Sequence, residues 1–359
     1  MKIAFLGDTA LFGKNTTSNS KYHKRFETIR ELLQQCDYVV ANLESPLTSQ
    51  TRTVGGKSAY LKGNTSDVEL LKFLNITHVT LANNHMYDYR AQGMMDTIQV
   101  LEKNNIEWYG VDSKSTVIEG DNSSIILMGY CCYSTNGKGL GVKKSYVNVL
   151  DPIIIEKELI EAEKKNMLPI LSLHWGQEHV HYPNYDHIEL ARKLCKARKI
   201  LIHGHHPHVI QGIEEVGESV IAYSLGNFCF DDVYTKKSTS PLVKLSKDNQ
   251  ESFVMIVDIS NNTINNYKII PFSFEGEVYE IENSIMDKIV EWSNFLNVPS
   301  DEYVRKRSRD LTTYINKRKK LRNLEWYLKR LNLESIKMIV GSKKNLEKYN
   351  QLIKKYISQ

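Results

Sequence analysis

Short runs rich in β-branched and other apolar residues recur along most of the chain, over residues 2–6, 38–43, 78–82, 124–130, 168–174, 199–203, 219–224, 253–259 and 263–270. Their length and make-up predict strands. Stretches with apolar residues at helical spacing, 23–35, 66–74, 91–104, 152–166 and 187–197, lie between several of them and predict helices. Strand alternating with helix predicts an α/β fold. Several predicted strands stop abruptly in residues of ligand type: Gly7-Asp8, Asn42-Leu43-Glu44, Asn83-Asn84-His85 and His174-Trp175-Gly176. The strand at 199–203 runs into a cluster that holds four of the eleven histidines within six residues, His203, His205, His206 and His208. Strand ends are where α/β folds build their sites.

The last sixty residues differ in character. From Asp301 to Gln359 there are 17 Lys and Arg against 6 Asp and Glu. The net charge of +5 for the whole chain therefore leaves the rest mildly acidic. Leucines 321, 324, 328 and 331, then Ile336, Ile339 and Val340, fall at helical spacing and predict amphipathic helices. Two readings follow: a helical appendage packed on the main domain, or a basic surface around residues 317–322 that meets an anionic membrane or polymer.

With 359 residues, 41% of them apolar and 25% charged, the chain is expected to be a soluble globular protein. No stretch approaches the roughly 20 apolar residues of a membrane span, and the apolar run at the N-terminus is too short for a signal peptide. The expected location is the cytoplasm, including a peripheral position at the inner face of the membrane. Five cysteines, odd in number and without a C-x-x-C pair, suggest buried core thiols in a reducing compartment and not a disulfide framework or zinc ribbon. No P-loop, dinucleotide fingerprint or G-x-S-x-G elbow occurs, which argues against nucleotide-triphosphate motors, dehydrogenases and serine hydrolases.

Singly, each polar strand end has a structural explanation as a cap, a turn residue or a hydrogen-bonded core histidine. Together, an acid, a second acid, an Asn-His pair, an isolated His and a closing His-x-His supply the oxygen and nitrogen ligands of a two-metal hydrolase.

In order along the chain, Gly7-Asp8, Asn42-Leu43-Glu44, Leu81-Ala82-Asn83-Asn84-His85 with Asp88, His174-Trp175-Gly176-Gln177-Glu178, Gly204-His205-His206-Pro207-His208-Val209 and Ser224-Leu225-Gly226-Asn227-Phe228 resemble the motifs of the capsule-synthesis CapA family. That family is named for poly-γ-glutamate capsule formation and belongs to the calcineurin-like metallophosphoesterase superfamily. The resemblance runs from Lys2 to about Phe230. It implies a four-layer α-β-β-α metallophosphoesterase-like sandwich over residues 1–280, followed by a basic helical C-terminal region over 281–359.

The same resemblance implies a pair of divalent ions, of Mn, Zn or Fe type. Asp8 and His208 would hold one, Asn84, His174 and His206 the other, with Glu44 between them. His85 would stabilise charge on a phosphoryl group or protonate the leaving oxygen, with Asp88 fixing its tautomer. The wider superfamily carries Asp-x-His where this chain has Ala10 in the third position. Glu178, His205 and His203 are the candidates to replace the lost ligand, and a weakened first site would favour one ion or a harder one such as Mn²⁺ or Mg²⁺. Arg90 stands where the family usually has Gly and faces either an anionic substrate or solvent. Lys62, in Ser58-Ala59-Tyr60-Leu61-Lys62-Gly63, is the first choice for an anion-binding side chain, with an ordinary surface lysine as the alternative. Glu178 and His205 complete the candidate substrate contacts.

The expected function is therefore a metal-dependent hydrolase, with phosphoester cleavage linked to capsule or other surface-polymer biosynthesis. Its expected partners are an anionic small-molecule or polymer substrate, the capsule-synthesis machinery and an anionic membrane surface met by the basic tail; nucleic acid is not the expected partner. The alternatives are a non-catalytic accessory of a membrane polymer synthase and a nucleotide or nucleic-acid phosphoesterase.

Overall fold

The computed structural model of the protein describes residues 1–141, 145–196, 198–234, 240–320 and 332–359. In chain order it opens with β1 (Lys2–Thr9), α1 (Tyr22–Leu33), β2 (Tyr38–Leu43), α2 (Val68–Phe73), β3 (His78–Thr80), α3 (Arg90–Lys103) and β4 (Glu107–Tyr109). Next come β5 (Thr116–Gly120), β6 (Ser123–Cys131), α4 (Pro152–Lys164), β7 (Leu168–His174), α5 (Tyr185–Cys195), β8 (Leu201–His205), β9 (Ile213–Val216), β10 (Ser219–Ala222) and β11 (Asn227–Cys229). The chain continues through α6 (Lys247–Gln250), β12 (Glu251–Ser260), β13 (Thr263–Ser273) and β14 (Glu280–Ile281), then α7 (Ile285–Phe295), α8 (Ser300–Lys320) and α9 (Leu333–Tyr349).

The strands form two sheets. One has the order β14-β13-β12-β1-β2-β3-β4, with β11 also paired to β1; the other has the order β5-β6-β7-β8-β10-β9. In each, the central strands are parallel: β1 to β4 in the first, and β6, β7, β8 and β10 in the second. Alternation along β1 shows how the layers stack. Ile3 and Phe5 join Val40, Leu127, Ile170, Leu201, Phe253 and Met255 in the core between the sheets. Their neighbours Ala4 and Leu6 face the other way, into a core with Phe26 of α1, Leu70 of α2 and Met94 of α3. The outer face of the second sheet is covered by Ile155 and Leu159 of α4 and Ile188 and Ala191 of α5. The result is the expected helix-sheet-sheet-helix sandwich, and strands buried on both faces read as continuous apolar runs. Helix α4 starts where it does because Asp151 accepts the N–H of Ile153 and Pro152 occupies the first turn.

The C-terminal helices follow as expected and pack on this second face. Tyr303 of α8, Tyr349 of α9 and Ile353 are buried in the same core as α4 and α5, and the Tyr303 hydroxyl donates to Pro183 O at 3.0 Å. Leucines 321, 324, 328 and 331 and Arg322 lie outside the described residues. Among the described residues no helix is long and apolar enough to cross a membrane. All five cysteines are buried and unpaired. Strands β4, β5, β9, β11 and β14 were not legible in the sequence. Three are only two or three residues long, and β9, Ile-Glu-Glu-Val at a sheet edge, buries too little to show an apolar run.

One buried histidine links this packing to pH. His187 of α5 stacks on Trp175, ring centroids 5.0 Å apart and planes 8° apart, and its Nε2 has no hydrogen-bond partner. Burial pushes its pKa down to about 4. The native ring is neutral while the unfolded chain takes up a proton below about pH 6.5. Its contribution is therefore whole above about pH 6.5 and is lost progressively as pH falls toward about 4, roughly 2 kcal/mol by pH 5. Urea unfolding at about pH 7.5 and pH 5 should show that His187→Phe, which keeps a ring on Trp175 but takes no proton, loses less stability on acidification than wild type. Equal losses would contradict this account.

Candidate metal centre

The registers of the two sheets bring six polar side chains to one edge. Asp8 at the end of β1 is opposite Asn42 of β2, and His174 at the end of β7 is opposite His205 of β8. Two glycines permit the close approach of backbones behind them. A methyl group on Gly7 would lie 2.0 Å from Gly226 O, and one on Gly204 would lie 1.9 Å from Tyr223 O.

Glu44, just past β2, is the hub. Its Oε1 lies 3.7 Å from both His174 Nε2 and His208 Nε2. Glu44 is fully buried, and neither of its carboxylate oxygens has a hydrogen-bond partner. Asp8 is held more firmly. Its carboxylate accepts from Asn42 Nδ2 at 2.8 Å and from the His206 N–H at 3.1 Å, and the Nδ1 atoms of His205 and His208 both lie 3.3 Å away. Asn84 Oδ1 lies 3.1 Å from His174 Nε2. Two ligand-type triads result, Glu44-His174-His206 and Asp8-Glu44-His208, each offering atoms within 4.8 Å of one another. All six residues expected from the sequence at the metals thus meet in one place.

The histidine run reaches this edge through an unfavourable backbone. His206 and His208 have φ values of +94° and +56°, a region that costs energy for any residue but glycine. The Asp8 contact to the His206 N–H fixes the first. Asn249 Nδ2 donates to His208 O at 2.8 Å and Asn227 Oδ1 lies 2.9 Å from His208 Nδ1, which fixes the second.

Electrostatics divide the cluster. Burial opposes charge on Asp8, but the adjoining His205 and His208 outweigh it and hold the carboxyl well below its ordinary range. Burial and then the charge of Asp8 push Glu44 well above its range. Burial, with neighbouring histidines, keeps His174 neutral, and burial pushes His206 down to about 3. For His208 burial is outweighed by Glu44, Asp8 and Glu178, which push it up to about 10. Neutral imidazoles beside carboxylates are the donor set of Zn²⁺, Mn²⁺ and Fe. The orphaned buried atoms fit such an ion: both oxygens of Glu44 and Nδ1 of His206 point to no protein partner.

Beside the triads stands a second group. His85 Nδ1 lies 2.7 Å from Asp88 Oδ2, and Lys57 Nζ lies 3.1 Å from the same ring nitrogen, pairs with Asp88 Oδ1 and donates to Asn84 O at 2.8 Å. Burial and then Lys57 hold the His85 pKa below its ordinary value despite Asp88.

Of the candidate substrate contacts, Glu178 is partly exposed beside the cluster. Burial is outweighed there by His206, His179, His208 and Arg318, which push its pKa down to about 2. His205 is buried against Asp8, with neither ring nitrogen hydrogen-bonded. Arg90 is exposed, φ +62°, and donates to Thr53 O at 2.9 Å. Lys62 does not join the cluster: its ammonium lies over the Tyr89 ring at 5.4 Å and donates to Gln50 O at 3.3 Å. His203 turns away to Leu6 O at 2.7 Å, and Ala10 packs with Leu61, Phe230 and Val233. Lys57 was missed by sequence reasoning; the Gly55-Gly56 turn before it, φ +66° and +71°, was the available signal. Tyr314 of α8 was missed as well, its ring 5.3 Å from that of His179.

Residues 2–232, which carry all six clustered side chains, match the family model described as bacterial capsule synthesis protein PGA_cap. The chain belongs to this family. It is 33% identical over 276 residues to the PGA biosynthesis protein CapA of Bacillus subtilis (strain 168), covering 73% of each chain. It is 28% identical over 249 residues to the capsule biosynthesis protein CapA of Bacillus anthracis, covering 66% of this chain and 61% of that one. The solved structure of calcineurin-like phosphoesterase YfkN from Bacillus subtilis superposes over 81% of this chain and 96% of that chain, with a TM-score of 0.41 and 12% identity. In this member of the capsule synthesis family, helices α7, α8 and α9 follow the matched segment.

If the triads are ligand sets, an ion binding the folded state alone must stabilise it. An ion present at about 100 times its Kd adds roughly 2.7 kcal/mol. Denaturant unfolding in chelator and in excess Mn²⁺ or Zn²⁺ should show this gain for wild type and its loss in Glu44→Gln and His208→Asn. An equal gain in Glu44→Gln, or none in wild type, would contradict the assignment.

Proposed function

We propose that this protein is a divalent-metal-dependent hydrolase that cleaves a phosphoester-type bond in the biosynthesis of a capsule or other surface polymer. The observation that carries the reading is Glu44, a buried carboxylate with both oxygens orphaned between two sets of imidazole and carboxylate donors. His174 and His206, with Asn84 adjoining, would hold one ion, Asp8 and His208 the other, and Glu44 would serve both. Ions held there would supply the positive charge that polarises a phosphoryl oxygen and acidifies water. The family and the names of the two Bacillus relatives point to capsule or poly-γ-glutamate formation as the setting.

The remaining chemistry belongs to the chain. Asp88 accepts from His85 Nδ1, which fixes the tautomer and leaves Nε2 to take or return a proton at the substrate. Lys57 secures Asp88 and Asn84 together, so the proton-handling ring and a candidate ligand are positioned by one ammonium. Asn42 spans the sheets, with Nδ2 donating to Asp8 and lying 3.3 Å from His174 Nδ1, while its Oδ1 accepts from Asn83. Asn83 in turn accepts the N–H of His85 at 3.1 Å. Pre-organised donors of this kind place reacting groups without reorganisation. Glu178, charged and partly exposed, would repel a second negative charge approaching from its side.

The test separates binding from chemistry. His85→Ala should keep metal-induced stabilisation while turnover of phosphomonoester or phosphodiester substrates falls about 10²–10⁴-fold. His208→Ala should lose both. Unchanged turnover in His85→Ala would remove that residue from the chemistry. Absence of turnover in metal-loaded wild type would favour the non-catalytic accessory of a polymer synthase.

A further inference from the structure

Lys138 lies in the loop after β6, half-buried, in a position the reading above leaves unused. A methyl group on Gly341 of α9 would lie 2.6 Å from its Nζ, and one on Gly56 would lie 3.9 Å away, so the ammonium occupies a slot between the C-terminal helix and the turn that precedes Lys57. No carboxylate pairs with it among the described residues; the charged group that acts on it is another cation, Lys57, which adds to burial in depressing its pKa.

The loop is fastened in this position. Ser342 Oγ of α9 donates to Asn136 Oδ1 at 3.0 Å, and Asn345 Nδ2, buried on the same helix, donates to Gly137 O at 3.3 Å. Gly137 backs directly onto the metal edge, where a methyl group would lie 3.2 Å from the Asn84 Cα. Lys57 closes the other side through its 2.8 Å bond to Asn84 O. A half-buried ammonium held without a counter-charge beside a second ammonium costs energy in the free protein. Such a cost is retained at functional sites, where a ligand supplies the missing charge.

We propose that Lys138, positioned by α9 and working beside Lys57, is an anion subsite that receives a second negative group of the substrate, a phosphate or carboxylate next to the bond being cut. The proposal rests on the metal-dependent hydrolase reading for its location but not for its test. It gives the C-terminal helix, which lies beyond the matched family segment, a part in substrate choice.

Isothermal titration on the full chain, with Mn²⁺ and separately in chelator, would use two probes, inorganic phosphate and γ-glutamylglutamate. The probe that fits the subsite should bind about tenfold more weakly to Lys138→Gln, the range for losing one bond to a charged group, while Lys138→Arg stays near wild type. Weakening for phosphate alone identifies a phosphate subsite; weakening for the dipeptide alone identifies a carboxylate subsite. Thermal melts of the free protein should show no loss of stability in Lys138→Gln, because the ammonium has no counter-charge to lose among the described residues. Binding of both probes to Lys138→Gln as to wild type, or failure of wild type to bind either, would overturn the proposal. So would a marked drop in melting temperature of Lys138→Gln, which would make Lys138 a fold residue. Lys138-dependent binding that persists in chelator, with no metal taken up by wild type, would sink the metal reading and leave the subsite standing.

Discussion

Two carboxylates buried side by side set the terms for this molecule. Asp8 and Glu44 stand at and just past the ends of adjacent parallel strands, fully enclosed and out of reach of solvent. Burying such a pair is unfavourable unless other groups return what hydration supplied. Asp8 finds partial compensation in Asn42, the His206 N–H and two imidazoles. Glu44 finds no hydrogen bond for either oxygen, and burial with the charge of Asp8 pushes its pKa well above the ordinary range although His208 and Lys57 act against this.

The rest of the fold serves that arrangement. Two mixed sheets stacked face to face deliver their parallel central strands, β1 and β2 from one side and β7 and β8 from the other, to a common edge. Glycines at 7 and 204 let backbones meet where a side chain would hold them apart. Asn42, Asn83, Asn227 and Asn249 then tie the two sides through side-chain amides. An amide can donate to one element and accept from another without adding charge, which suits a site already short of compensation. The C-terminal helices close the outer face of the second sheet and reach back to the site twice, at Tyr314 beside His179 and at the loop that carries Lys138.

Much of this was legible in the sequence because parallel strands buried on both faces announce themselves as apolar runs, and a run that stops at Asp, Asn-His or His marks its own sheet end. The sandwich and the meeting of Asp8, Glu44, Asn84, His174, His206 and His208 followed from that rule and from the family motifs. Residues set by irregular backbone were not legible. Lys57 and Lys62 lie five apart in a segment with no periodicity, and the Gly55-Gly56 turn decides that Lys57 enters the site while Lys62 rests on Tyr89. The edge strand β9 and the very short β4, β11 and β14 carry too few apolar residues to register. The approach of α8 and α9 to the site depends on packing between distant parts of the chain, such as Tyr303 against Pro183, and no local pattern encodes it.

Crystals grown with Mn²⁺ and measured for anomalous scattering test the central claim most directly. The account predicts anomalous density shared around Glu44, with ions about 2.0–2.3 Å from donor atoms of His174 and His206 on one side and of Asp8 and His208 on the other. A folded protein whose Glu44 carboxylate remains without an ion, or whose only ions lie elsewhere, would contradict it.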